Sequence, residues 1–221
     1  MKDVNFKQSE DTLFLEEEHI ILKDQIKKFV ETEVKPEGPK WEADGFIPRE
    51  IFKKMGALGF LGITYPTEFG GSEMDVRGSV VFAEELGKST FSGFAIASLV
   101  HTDMASVHLL NAGNKEQKER YLSDIISGNK ISCVAVTEPH AGSDVKNIRT
   151  KAQKVGNKYL INGSKIFITN GVHADIYFVA AKTSDGLQQS GNITMFIVRK
   201  DNPGLIVNKQ LDKHGWRCSD T

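Results

Sequence analysis

Apolar residues between Phe14 and Val34 recur at steps of three and four positions. In a helix of about 3.6 residues per turn, this spacing places them on one face. Pro36 follows, and proline is unfavourable in a helix interior because it lacks an N–H and its ring clashes with the preceding turn. The pattern therefore predicts an amphipathic helix that ends before Pro36. The apolar positions are Leu22, Ile26, Phe29, Val30 and Val34.

Further helices are predicted as far as about residue 130. Pro48 suits a helix start, and the helix that it begins carries apolar residues at helical spacing as far as Leu58. The glycines at 59 and 62 then end it. Three more helical stretches are predicted at about 77–88, 91–111 and 115–127, and a helix-ending cluster at 111–114 separates the last two.

The pattern changes after Gly128, where short runs rich in β-branched and aromatic residues begin. Such runs favour strands. Two tight hairpins are predicted, at Gly156-Asn157 and at Asn162-Gly163, because these pairs supply the positive φ angles that two-residue hairpin turns require. The predicted strands are Ile131–Val136, Lys158–Ile161, Lys165–Thr169, Ile176–Ala181, Ile193–Val198 and Leu205–Val207.

Helices followed by strands, without regular alternation, indicate an α+β protein. The closely spaced hairpins favour an antiparallel sheet or barrel. We therefore predict an N-terminal all-α helical domain over residues 1–130 and an antiparallel β-barrel-like domain over residues 131–221.

Composition narrows the function classes. The formal net charge is −1, from 28 basic and 29 acidic residues, so nothing indicates a nucleic acid or membrane partner. Cys133 and Cys218 are too few for a disulfide framework and lack metal-ligand spacing, which favours a reducing compartment and no metal site. No uninterrupted apolar run reaches the roughly 20 residues of a membrane span, and no signal peptide is recognisable. The acidic start, which includes Glu10 and Asp11, is unlike a transit peptide. We expect a cytoplasmic or already processed form.

Several familiar motifs are excluded. The glycines at 56, 59 and 62 have the wrong spacing for a dinucleotide fingerprint. His101 and His108 lie two helical turns apart, whereas a zinc pair on a helix usually lies at i and i+4. We expect both to be partly buried structural histidines. Gly142-Ser143 lacks the strand-to-helix context of a serine hydrolase.

The segment 134–144 reads VAVTEPHAGSD and breaks from a strand into a loop. Pro139 stiffens the exit and removes a donor, while Gly142 leaves space. Thr137 and Ser143 offer hydroxyl groups beside backbone amides. Such a loop suits a flat ligand that forms hydrogen bonds, although a plain turn is the commoner explanation of these residues alone.

Motifs in order along the chain resemble the acyl-CoA dehydrogenase family. They include TEPHAGSD at 137–144 and NGSKIFITNG at 162–171. Upstream, YPTEFGG at 65–71 resembles the family's loop after its early helices, and GNKEQKERYL at 113–122 resembles its helix before the barrel. Downstream, KHGWRCSDT at 213–221 resembles its late middle-domain signature. The resemblance covers nearly the whole chain.

The resemblance implies an FAD enzyme of fatty acid β-oxidation that converts an acyl-CoA thioester to a trans-2-enoyl-CoA. A glutamate takes the α-proton, and the β-hydrogen passes as a hydride to FAD N5. It also implies an electron-transferring flavoprotein as partner, a homodimer or homotetramer, and a bacterial cytoplasmic or processed mitochondrial matrix location. Medium-chain, long-chain and branched-chain substrates all stay open.

The resemblance also implies which residues contact the cofactor. Ser143 is expected near the flavin phosphate or the CoA of the substrate. Phe167 stands where many members have tryptophan, so an indole N–H donor is absent. The implied cofactor residues are Val134, Val136, Thr137, Gly142, Ser143, Phe167, Ile168 and Thr169.

The family continues past Thr221 into a C-terminal four-helix bundle that supplies the catalytic glutamate. The resemblance therefore implies a fragment truncated before that bundle, with no catalytic residue, weak flavin affinity and little or no turnover. Neither Glu68 nor Glu138 is expected to replace the base. The alternatives are an acyl-CoA oxidase or flavin monooxygenase relative, and a non-catalytic module that binds flavin or acyl-CoA.

Overall fold

The computed structural model describes residues 14–183 and 192–221. Glu10 and Asp11 of the acidic start lie outside the described residues. Helices occupy the described chain as far as Ile126, and strands begin at Ser132. The predicted order, a helical domain followed by a sheet domain, is confirmed. The domain boundary at residue 130 stays a prediction.

The helical domain contains α-helices, two π-helical turns and a short 3₁₀ turn at Thr67–Phe69. The π-helical turns are Val30–Val34 and Val100–Ala105. The α-helices are α1 (Glu17–Phe29), α2 (Lys35–Asp44), α3 (Arg49–Ala57), α4 (Val76–Gly87), α5 (Ser92–Leu99), α6 (Ser106–Ala112) and α7 (Lys115–Ile126).

The prediction that the first helix ends before Pro36 is wrong. The chain passes from α1 through the π-helical turn at Val30–Val34 directly into α2, and Pro36 lies in the first turn of α2. The π-helical turn replaces the regular i to i−4 hydrogen bonds just before the proline, so the missing N–H interrupts no regular ladder. α2 ends at Asp44 and is capped by Gly45, whose φ is 78°.

A capping box at the start of α7 confirms the predicted break at 111–114. The Gln117 N–H donates to Asn114 Oδ1 at 2.9 Å, and the Asn114 N–H donates to Gln117 Oε1 at 2.9 Å. This reciprocal pair satisfies two N–H groups that a helix end leaves without partners.

The predicted helix at 91–111 is continuous but irregular, because the π-helical turn at Val100–Ala105 lies between α5 and α6. The combined stretch Ser92–Ala112 is long and apolar enough to cross a membrane by length and composition. Most of it is buried within the protein. Core helices pass the same test, so this stretch is weak evidence for a membrane span.

The described sheet has five strands and is open. β4 is central: β1 and β2 pair with it in parallel and β5 pairs with it antiparallel, while β2 and β3 form an antiparallel hairpin. The sheet is therefore mixed, which differs from the antiparallel, barrel-like arrangement that was predicted. The long connection from β1 to β4 returns the chain in the same direction, as parallel pairing requires. The strands are β1 (Ser132–Ala135), β2 (Lys151–Val155), β3 (Lys158–Asn162), β4 (Ile176–Thr183) and β5 (Ile193–Arg199).

One predicted hairpin is confirmed and the other is wrong. Val155 pairs with Lys158 across a turn in which Gly156 has a φ of 59°. At Asn162-Gly163 the chain leaves β3 without pairing back, and Gly163 does not have a positive φ. This glycine is needed for space, because a methyl group added to it would lie 2.2 Å from Thr150 Oγ1.

The predicted strands Lys165–Thr169 and Leu205–Val207 do not form. Phe167 and Asn170 have positive φ values of 60° and 63°, which interrupt an extended backbone. Residues 205–207 form no ladder, and Ile206 is exposed. β2 is dominated by polar residues and is not among the apolar runs predicted as strands; only the predicted hairpin at Gly156-Asn157 implied a strand that ends at Val155.

The core joins the two parts of the protein. One apolar cluster fills the helical domain, and a second packs α6 and α7 against the sheet. In the second cluster Leu109 and Leu122 meet Ile176 and Phe178 of β4. The helices thus support one face of the strand that organises the sheet.

Candidate functional site

The first predicted cofactor segment comprises β1 and the loop that follows it. Val134 is half-buried and packs against the cluster between helices and sheet, whereas Val136 packs against Ala141, Ile148 and Ala180. These two side chains support the core, so a cofactor contact at either would involve mainly the backbone. Thr137 is partly exposed.

The loop after Pro139 presents Gly142 and Ser143 to solvent. A methyl group added at Gly142 would meet nothing within 4 Å. The space beside Gly142 and the free surface of Ser143 fit a bound group that would reach the backbone here.

The second predicted segment runs through Phe167, Ile168 and Thr169. Phe167 is 64% exposed and has a φ of 60°. Ile168 packs against the cluster that contains Cys133 and Tyr177, while Thr169 is partly exposed. An exposed aromatic side chain in a sparsely populated backbone region is a feature that often accompanies ligand sites.

Glu138 lies at the centre of the first loop and is only 3% exposed. Its carboxylate accepts hydrogen bonds from the backbone N–H groups of Arg149 and Thr150, from the Thr150 hydroxyl and from Lys165 Nζ at 2.8 Å. His140 Nε2 lies 3.3 Å from Glu138 Oε2. Burial raises the pKa of Glu138, but these donors outweigh it and lower the pKa to about 2.

Lys165 and Ile166 connect the two segments. Lys165 Nζ donates to the Val136 carbonyl at 2.8 Å, and the Ile166 N–H donates to the Thr137 carbonyl at 3.0 Å. The backbone immediately before Phe167 is therefore fixed to the backbone at Val136 and Thr137.

Asp220 holds the far side of the second segment. Its Oδ2 accepts the N–H groups of Val172 at 2.7 Å and His173 at 3.0 Å, and its carbonyl accepts the Asn170 N–H at 2.9 Å. Asn170 Nδ2 donates in turn to the carbonyl of Ala97 at 2.9 Å. The motif at 213–221 thus packs against the motif at 162–171.

His101 ties the start of β1 to the helices. Its Nε2 donates to the Ile125 carbonyl at 3.0 Å, and its Nδ1 accepts the Ser132 N–H at 3.0 Å. Because one ring nitrogen faces a carbonyl and the other faces an N–H, the neutral ring fits this position. Burial lowers the pKa of His101 to about 4, although the Ile125 hydrogen bond opposes the shift.

The histidines and acidic residues show no arrangement for a metal ion within residues 14–183 and 192–221. His108 is half-buried and packs beside Phe178, with 6.4 Å between ring centroids. Tyr65, from the upstream motif at 65–71, is buried and donates to the Thr102 carbonyl at 2.6 Å. The motif at 65–71 therefore stabilises the π-helical turn at Val100–Ala105.

Sequence reasoning missed the roles of Lys165, Asp220 and His101. Lys165 stands next to a short apolar run that was predicted as a strand, so the lysine was not assigned a separate role. Asp220 and His101 act on backbone groups that are distant in sequence, so no local pattern marks them.

Comparison with family models matches both parts of the chain. Residues 16–129 match the acyl-CoA dehydrogenase N-terminal domain, and residues 133–221 match the acyl-CoA dehydrogenase middle domain. A helical domain followed by a sheet domain with these two matches defines the class. The chain belongs to the acyl-CoA dehydrogenase family, which confirms the resemblance found in the sequence.

Curated relatives agree. The chain is 39% identical over 210 residues to a mitochondrial isovaleryl-CoA dehydrogenase of Pongo abelii, covering 94% of this chain and 49% of the relative. It is 38% identical over 205 residues to an acyl-CoA dehydrogenase of Bacillus subtilis (strain 168), covering 93% and 54%. The chain spans about half the length of the curated relatives that it matches.

Solved structures share the fold. A glutaryl-CoA dehydrogenase of Mycobacterium smegmatis in complex with FADH2 superposes with a TM-score of 0.86 at 30% identity, covering 93% of this chain and 51% of that chain. A chain in the structure described as the electron transferring flavoprotein of Acidaminococcus fermentans gives a TM-score of 0.88 at 35% identity, covering 94% and 54%.

Proposed function

We propose that these residues form the flavin-contacting part of an FAD-dependent acyl-CoA dehydrogenase. The observation that supports this most directly is the exposed ring of Phe167, which follows a hydrogen bond between Ile166 and Thr137. The hydroxyl groups of Thr137 and Thr169 lie on the two segments that this bond connects. An exposed aromatic ring, together with hydroxyl groups on the same two segments, suits a flat, polar-edged ring system.

Bound FAD would supply the acceptor for the hydrogen removed from the substrate. The chain would contribute donors from Val136, Thr137 and Thr169 to the edge where negative charge develops. Phe167 and Ile168 would pack near the ring system, and Gly142 and Ser143 would lie near the flavin phosphate or the CoA. Val134 would act through its backbone.

The catalytic base is proposed to lie outside the described residues. Glu138 has both carboxylate oxygens engaged, and its pKa is lowered to about 2, so it is a poor proton acceptor at neutral pH. Glu68 lies exposed in the 3₁₀ turn at Thr67–Phe69. Because the chain spans about half of its relatives, we expect weak FAD affinity and little turnover from these residues alone.

The wider function follows the relatives. We propose an acyl-CoA substrate and β-oxidation chemistry that yields a trans-2-enoyl-CoA, with an electron-transferring flavoprotein as acceptor. The similarity to a chain in a structure described as an electron transferring flavoprotein supports that partner. A homodimer or homotetramer is proposed for the full-length protein. The location is the bacterial cytoplasm or the mitochondrial matrix, as relatives from both bacteria and mitochondria suggest.

The test is to purify this chain, titrate it with FAD and record the visible spectrum, then add saturated acyl-CoAs of several lengths without oxygen. We expect FAD binding without bleaching of the flavin band. Bleaching would place a base within these residues and contradict that part of the proposal.

Failure to bind FAD at any concentration would contradict flavin binding by this chain and favour a module without flavin chemistry. The same titration on a longer protein that includes the remaining half of the family's length should bleach with acyl-CoA. Rapid reoxidation of that protein by oxygen would instead favour an acyl-CoA oxidase or a flavin monooxygenase relative.

A further inference from the structure

The two segments that carry the proposed flavin contacts do not pair as strands. β1 ends at Ala135, and residues 163–175 form no strand. Their relative position depends on a few specific hydrogen bonds. The backbone bond from Ile166 to Thr137 is 3.0 Å long, and the side-chain bond from Lys165 to the Val136 carbonyl is 2.8 Å long.

The Lys165 ammonium group is itself held by Glu138. Lys165 Nζ lies 2.8 Å from Glu138 Oε1, and the two side chains are only 10% and 2% exposed. Glu138 is fixed in turn by Arg149 and Thr150, which immediately precede β2. A chain of contacts therefore runs from these two residues through Glu138 and Lys165 to both segments.

A buried ion pair is not an efficient source of stability, because removing both charges from water offsets much of their attraction. This pair instead fixes the orientation of the groups that it contacts. The ammonium group has three N–H donors at fixed angles, and two of them go to Glu138 and to the Val136 carbonyl. An apolar pair of the same volume would fill the space but would not fix that carbonyl.

We propose that Glu138 and Lys165 are positioning residues, which lock the loop at 136–143 and the segment at 165–169 into one geometry for the flavin ring. The inference rests on the proposed function. Neither residue needs to touch the cofactor, since each acts through the backbone of Val136 and Thr137.

The experiment compares Glu138→Gln, Lys165→Met and the double variant with the unchanged chain. Lys165→Arg is the conservative rescue, because its guanidinium group retains donors for both partners. Glu31→Gln removes an exposed ion pair to Lys35, 2.6 Å long in the helical domain, and is the matched control. Two properties are measured: the FAD dissociation constant with the visible spectrum, and amide hydrogen exchange without FAD.

We expect Glu138→Gln and Lys165→Met each to raise the FAD dissociation constant at least tenfold and to broaden the bound-flavin band. Exchange should accelerate together at 136–143 and 163–171, while β4 and β5 keep their protection. The double variant should bind FAD no more weakly than the weaker of the two single variants, because both changes disrupt the same interaction. Lys165→Arg should stay within about threefold of the unchanged chain, and Glu31→Gln should change nothing.

FAD affinity within twofold of the unchanged chain for both single variants would overturn the inference. Faster exchange in only one segment would overturn it as well. If the unchanged chain does not bind FAD, the proposed function fails, and the exchange data still decide whether the pair couples the two segments. If Glu138→Gln does not fold, Lys165→Met and Lys165→Arg carry the comparison.

Discussion

Phe167 combines an exposed ring with a backbone conformation that non-glycine residues rarely adopt. A left-handed φ costs roughly 1–2 kcal/mol for such a residue. The folded protein tolerates this cost because hydrogen bonds hold the chain on both sides of Phe167. They involve Lys165 and Ile166 on one side and Asn170 on the other. Strain kept at an exposed position supports the proposed contact of Phe167 with the flavin.

Replacing Phe167 with alanine should separate binding from folding. Because the ring is 64% exposed, stability without FAD should change by less than about 0.5 kcal/mol. FAD affinity should fall about three- to tenfold, since stacking on an aromatic ring is lost. Urea unfolding and an FAD titration measure the two effects. Val76→Ala, at an exposed position of α4, is the control that should leave FAD affinity unchanged. Equal FAD affinity in Phe167→Ala would remove Phe167 from the proposed site.

The sequence motifs mark the two segments that a hydrogen bond between Ile166 and Thr137 connects, but they do not show what each side chain contacts. The motifs place Thr137, Phe167 and Thr169 on two segments that the structure joins. The periodicity of a single strand cannot show that Val134 and Val136 face different core clusters, because that depends on what packs on each side. The buried partners of Glu138 come from residues that are distant in sequence.

Among the elements, the connection between β3 and the second segment depends on close packing. Gly163 lies so near Thr150, the residue before β2, that an added methyl group would be 2.2 Å from Thr150 Oγ1 and 2.7 Å from Thr150 Cα. Thr150 is also a donor to Glu138. A side chain at Gly163 would therefore push on the residue that holds the carboxylate.

Gly163→Ala should destabilise the protein by about 1–3 kcal/mol, the usual cost of overpacking. The control is Gly87→Ala at the end of α4, where an added methyl group meets nothing within 4 Å. That change should be neutral or stabilising by up to about 1 kcal/mol, because alanine is the better helix former. Chemical denaturation of both variants is the measurement. A neutral Gly163→Ala would show that Thr150 can move away without cost.

The same position explains why a hairpin was predicted wrongly at Asn162-Gly163. Asn-Gly is typical of a tight turn because glycine tolerates positive φ, yet here glycine serves a close approach with an ordinary φ. Local sequence does not distinguish the two uses. The helices, whose periodicity is local, were predicted closely, apart from α2, which was not predicted and which follows the π-helical turn at Val30–Val34.

For the whole molecule, His101 joins the helical domain to the sheet. It lies in the π-helical turn at Val100–Ala105 and forms hydrogen bonds with the carbonyl of Ile125, near the end of α7, and with the first N–H of β1. Protonation at Nδ1 would replace an acceptor with a donor facing the Ser132 N–H. These hydrogen bonds between the helical domain and the sheet therefore depend on a neutral His101 ring.

Acid should weaken this connection between the helical domain and the sheet. The pKa of His101 is lowered to about 4 in the folded protein, from an ordinary value of 6.5. The unfolded chain thus binds the proton more readily, so the stabilisation is complete above pH 6.5 and is lost as the pH falls towards 4. Between pH 7 and pH 5 this amounts to roughly 2 kcal/mol.

The measurement is the free energy of unfolding in urea at pH 7 and pH 5, for the unchanged chain and for His101→Gln. Glutamine offers a donor and an acceptor but does not titrate, so its loss between the two pH values should be smaller by the same amount. Val76→Ala, an exposed change that alters no titratable group, is the control and should keep the pH dependence of the unchanged chain. Equal pH dependence in His101→Gln would contradict a neutral, buried His101.

The two tryptophans of the chain lie in opposite surroundings. Trp41 is 2% exposed in the helical core, whereas Trp216 is 54% exposed in the segment at 213–221, which packs against the segment at 162–171. The indole of Trp41 will emit at shorter wavelength and be shielded from iodide, and that of Trp216 will emit at longer wavelength and be quenched. The protein thus contains a built-in pair of optical reporters, one for its helical core and one for the segment beside its proposed site.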